Sequence, residues 1–153
     1  MKIFLFFFVI FSQYCFAQSQ KTFKPCSKTI NYTVDDWMLR KKVGMDLTIP
    51  LSNPRYVGGV EELTKYFAAN PINDSDYGFR TFIGFVVNCK GEVGNFQIVS
   101  EGRGDLREQV LEKVKKMPQK WKPAISKEGK PVDSYQIIIL TLAKGKFTYV
   151  EYR

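Results

Sequence analysis

Four aliphatic residues in succession, Ile137-Ile138-Ile139-Leu140, stand inside the β-branched and aromatic stretch Tyr135 to Leu142. Side chains of a strand alternate between its two faces, so an unbroken apolar run asks for cover on both. The neighbouring sequence supplies companions for such a strand. Phe79 to Val87 is a second β-prone run, Asn88-Cys89-Lys90-Gly91 carries turn chemistry, and Val93 to Ser100 leads back, which predicts a β-hairpin. Beyond the turn Lys144-Gly145-Lys146, Phe147 to Tyr152 reads as a last strand.

Two helices complete the pattern. Val60, Leu63 and Phe67 recur at helical spacing behind Gly58-Gly59, with Glu61 and Glu62 in the first turn, where the helix dipole favours acids. Asn70-Pro71 ends that helix. Leu106, Val110, Val114 and Met117 share one face of a second helix, which Asp105 and Glu108 open at capping-box spacing and Pro118 closes. The order helix, strand, strand, helix, strand, strand predicts an α+β fold: a two-layer sandwich, an antiparallel sheet of three to four strands with both helices on one face. Residues 18–55 are less regular and read as a loosely structured N-terminal arm with one or two short helical or extended segments packed on a domain of residues 56–153.

The start of the chain concerns address. Lys2 precedes the apolar run Ile3 to Phe11, then Ser12-Gln13 and Cys15-Phe16-Ala17, the pattern of a cleavable secretory signal over residues 1–17. A membrane-spanning helix needs roughly 20 apolar residues, so this run is short for an anchor. Periplasmic or secreted location follows as the expectation, with no membrane span after cleavage. The formal net charge is +8, one less without Lys2, which suits anionic partners as well as plain solubility. Cys26 and Cys89 survive cleavage. In an oxidising compartment they form either a disulfide or two free thiols, and spacing alone does not decide between them.

The chemistry on offer is narrow. The chain has no histidine, which removes the commonest general base, His-dependent nucleophiles and His-based metal sites. Asp35-Asp36, Glu61-Glu62 and Asp74/Asp76 are acidic neighbours, but no pattern sets two of them across a cleft. Gly58-Gly59 and Gly102-Arg103-Gly104 precede helices without a full phosphate-binding motif. The Lys146 to Tyr152 mixture of lysines and aromatics is explained by strand packing, so no nucleic acid is expected as partner. The expectation is a non-enzymatic binding protein without catalytic residues, cofactor or metal.

Several residues together resemble the C-terminal domain of TonB, in the divergent Bacteroidetes-type versions. They are Gly58-Gly59, Tyr66 with Asn70-Pro71, Gly84 to Val87, Gly91-Glu92-Val93, Asp105-Leu106, Met117-Pro118, Trp121-Lys122-Pro123-Ala124 and Gly129-Lys130-Pro131-Val132. The resemblance spans Tyr56 to Leu142. It implies a freestanding protein-protein interaction module, linked to TonB-dependent transport, whose partner is an envelope protein: an outer-membrane receptor or an assembly component. Members of the family pair a short extended segment with the sheet edge near the third strand, which is β-augmentation. Carried onto this chain, that edge is Tyr135, Gln136, Ile137, Ile138, Ile139, Leu140, Thr141 and Leu142. The further strand Phe147 to Tyr152 is able to pair with the same edge. A monomer or homodimer is expected. The alternative is a short energy transducer that keeps residues 3–17 as its inner-membrane anchor, and a small secreted enzyme is the more distant one.

Overall fold

The structure, a computed structural model, describes residues 22–72, 78–100 and 104–153. The signal segment 1–17, Asp74, Asp76 and the side chain of the expected helix cap Asp105 lie outside the described residues. In chain order the elements are β1 (Tyr32–Thr33), α1 (Trp37–Val43), β2 (Arg55–Tyr56), α2 (Gly59–Ala69), β3 (Phe79–Val87), β4 (Val93–Ile98), α3 (Gly104–Lys115), β5 (Trp121–Lys122), β6 (Ala124–Ile125), β7 (Pro131–Val132), β8 (Ser134–Ala143) and β9 (Lys146–Tyr152).

The fold is α+β. Its main sheet has five strands. β4 pairs with β3 and β3 with β8, both antiparallel, so β8 lies inside the sheet. The far side of β8 is shared: β1 runs parallel to its start and β9 antiparallel to it from Ile138 onward. The sheet thus exceeds the expected three to four strands and is not wholly antiparallel. Two small pairs, β2 with β5 and β6 with β7, fold the connection between α3 and β8.

One buried cluster joins α2 (Leu63, Phe67) and α3 (Val110, Leu111, Val114) to Ile83, Phe85, Val87, Ile138, Leu140 and Leu142 of the sheet. Tyr66 Oη donates to the Lys113 carbonyl at 3.1 Å and ties the two helices together. Val60, expected on the apolar face, is exposed.

The opposite face of the sheet is covered as well. Val34 and Leu39 pack with Ile137 in a second buried cluster, joined by Val43, Phe82, Val99 and Tyr135. The two-helices-on-one-face picture therefore omits a third helix on the other side. Its physical cause is the aliphatic run itself: alternation sends Ile137 and Ile139 away from α2 and α3, and Ile137 packs in the cluster that Leu39 of α1 joins. A seven-residue helix is too short to persist alone in water and depends on this packing. Asp36 starts it, its Oδ1 accepting from the Leu39 N–H at 3.1 Å, and Gly44 ends it. Gly84 of β3 makes room for it, because a Cβ there would stand 2.9 Å from both Leu39 Cδ1 and Val99 Cγ2.

Candidate functional site

The strand nominated by sequence, Tyr135 to Leu142, is not an edge. Gln136, Ile137, Ile138, Ile139, Leu140 and Leu142 are wholly buried, leaving only Tyr135 and Thr141 partly exposed. Its inner side pairs with β3 throughout, from Leu142 opposite Phe79 to Tyr135 opposite Val86. On its outer side β9 takes Ile138 to Ala143 and β1 takes Ser134 and Tyr135. The short gap between them is closed too. The Tyr135 carbonyl accepts from Val34 N–H at 3.1 Å and the Ile137 carbonyl from Arg153 N–H at 3.3 Å, while the Ile137 N–H donates to Oε1 of Gln136 at 2.9 Å. Buried backbone groups need partners, and along this side the arm, the C-terminal strand and the Gln136 side chain of β8 itself supply them. A partner segment finds no free backbone on β8.

Cys26 and Cys89 are joined in a disulfide, with Cα atoms 6.0 Å apart. Buried Asp133 sits against it and accepts three bonds: Oδ1 from Cys89 N–H at 2.8 Å, Oδ2 from Ser27 N–H at 2.8 Å and Ser27 Oγ–H at 3.0 Å. Cys26, Cys89 and Asp133 are close enough to suggest metal ligands. A disulfide sulfur is not a thiolate, however, and this carboxylate is already occupied. The group is a clasp that fixes the arm to the hairpin turn.

The acidic neighbours are likewise engaged. Asp36 caps α1 and lies 3.7 Å from Arg153, Asp35 lies 3.6 Å from Arg40, and Glu62 meets Lys120 at 2.8 Å. At the C-terminal strand, Glu151 accepts from Tyr149 Oη at 2.8 Å and from Arg153 Nε at 3.1 Å. Burial pushes the Glu151 carboxyl up, but these two bonds and the Arg153 charge outweigh it, so it is held below the usual carboxylate range.

A groove of about 840 Å³ lies open on the α1 face of the sheet. Phe82 and Val99 form its floor, Ile98 borders it while its side chain packs on the other face, and Trp37 and Met38 stand at the α1 side. Its cations are Lys41 and Lys42 from α1, Arg80 from β3 and Arg107 from α3. None of these four forms an ion pair among the described residues. The Arg80 guanidinium lies 5.3 Å from the Phe82 ring centre and 6.0 Å from that of Tyr149, which holds a charge over apolar surface, within the electrostatic reach of Glu151 but not paired to it. Arg107 Nη1 donates to the Ser100 carbonyl at 3.1 Å. Trp37 is 67% exposed, unusual for so large an apolar side chain.

Beside the floor runs β4, an outermost strand of the sheet. Val99 N–H donates inward to the Phe82 carbonyl at 2.9 Å, so alternation turns the Ile98 backbone outward, toward no strand. In the sequence, the cationic run Arg40-Lys41-Lys42 and the i, i+4 spacing of Trp37 and Lys41 are the available signs of this helix face. Arg80, Phe82 and Arg107 carry no comparable signal, because only the sheet and α3 bring them together. No protein-family model, curated protein or solved structure matches this chain.

Proposed function

We propose that the mature chain is a non-enzymatic, exported protein-protein interaction module of the TonB C-terminal type, which captures an extended segment of an envelope protein. Binding is placed at the outer side of β4 and the groove beside it, because β8 is filled by the chain's own strands. The observation that carries this reading is the meeting of the outward Ile98 backbone with an open, aromatic and cationic groove. Backbone pairing supplies affinity in such a mode, and side chains lying in the groove supply selectivity. The disulfide, suited to an oxidising compartment, supports export.

Proline at position 98 tests it. Ile98→Pro removes the outward N–H while the inward bonds of Gln97 and Val99 keep their donors. Envelope pull-downs with this variant are expected to recover roughly tenfold less partner than wild type, the scale of one or two lost hydrogen bonds. Ile98→Val, which trims packing but keeps the N–H, is expected to behave as wild type. Equal capture by Ile98→Pro would move the site away from β4.

A further inference from the structure

The same groove has a charge pattern that names the chemistry of its occupant. Among the described residues Lys41, Lys42, Arg80 and Arg107 line it without forming an ion pair, while Asp35 and Asp36 are engaged by Arg40 and Arg153 and Glu151, which feels the Arg80 charge, by Tyr149 and Arg153. Cations alone would suit any polyanion. The floor is apolar, though, and Trp37 stands over it largely exposed, features that reward insertion of a side chain and give nothing to a sugar-phosphate or polyphosphate chain. The outward Ile98 backbone adjoins the same floor and offers a donor and an acceptor spaced as a pairing strand would meet them. We propose that the groove recognises an acidic peptide segment carrying an aromatic or aliphatic anchor, the anchor packing against Trp37 and Phe82 and the carboxylates meeting Lys41, Lys42, Arg80 and Arg107. The choice of a peptide rests on the reading of the β4 edge above.

Trp37 is one of two tryptophans, and the other, Trp121, is buried, so tryptophan emission reports on the groove. The mature protein is titrated with a Glu-rich decapeptide bearing one central Phe, with the same peptide carrying Gln for Glu, and with polyphosphate of equal charge. The acidic peptide is expected to bind, and to weaken roughly tenfold between low and moderately high salt through screening of several exposed cations. Lys41→Glu/Lys42→Glu is expected to weaken it by a similar factor with an unchanged melting temperature, and Lys41→Gln/Lys42→Gln by less. Equal affinity of the charge-reversed protein, absence of peptide binding, or polyphosphate binding as tightly as the peptide would each overturn the inference. Its failure is separable from that of the strand-addition reading. Normal partner capture by Ile98→Pro together with charge-dependent peptide binding removes strand addition and keeps the charged groove. Loss of capture by Ile98→Pro with charge-independent peptide binding does the opposite.

Discussion

Gly91 shows how a single position joins two parts of the molecule. It closes the β3–β4 turn at a φ of 78°, in the left-handed region, and a side chain there would run into the Trp121 carbonyl. Asn88 completes the turn: its Oδ1 accepts from the Lys90 N–H at 3.0 Å and the Glu92 N–H at 2.9 Å. Trp121 in turn packs edge-on against Tyr56, Phe85 and Tyr152. Gly91→Ala therefore costs both the left-handed conformation and a backbone displacement, about 2–4 kcal/mol together. Urea unfolding is the check, and a loss below about 1 kcal/mol would mean that Trp121 does not press on the turn. At this scale the sequence was informative: Gly91, Trp121, Tyr66 and Gly84 all stood out, and each has a contact that requires it. The groove residues did not stand out together, since Arg80 and Arg107 are ordinary surface cations until the fold sets them beside Trp37.

Among elements, the hairpin, the two longer helices and the last two strands were readable because their apolar periods run long. β3 spans the expected Phe79–Val87, and β8 and β9 extend one residue past expectation at Ser134 and Ala143 and at Lys146. A short helical or extended segment is expected in the arm, but the place of α1 is not legible, because of its residues only Leu39 and Val43 join the buried cluster on that face and two apolar positions one turn apart make no period. The aliphatic run Ile137 to Leu140 did announce a second cover without saying what provided it. Nor does periodicity reveal which strand lies beside which, so β8 could be read as an edge although its interior place depends on β1 and β9. Glu151 of β9 accepts from its neighbours Tyr149 and Arg153, and its folded carboxyl titrates below its unfolded value of about 4.3. The stability this contributes is complete above the unfolded value and disappears as pH falls through the folded one. Glu151→Gln should lower the urea midpoint at neutral pH and flatten its fall toward about pH 3; parallel acid profiles for the two proteins would remove Glu151 from the account.

As a whole molecule, the chain is closed on itself. The Cys26–Cys89 disulfide and Asp133 fix the arm to the hairpin, and closing a loop of that length stabilises the folded state by about 4 kcal/mol on the chain-entropy model. Once fixed, the arm supplies β1 and α1, which complete β8 and build one wall of the groove. Among the described residues no helix is long and apolar enough to cross a membrane. Closure of β8 leaves the β4 side as the place where this account puts the partner. The most direct measurement is site-specific photo-crosslinking in the native envelope, with the reactive residue at Gln97 on β4 in one protein and at Thr148 on β9 in another. A discrete envelope-protein adduct is expected from position 97, competed away by the Glu-rich peptide, and none from position 148. An adduct from position 148 alone, or one from position 97 that the peptide leaves untouched, would contradict this placement.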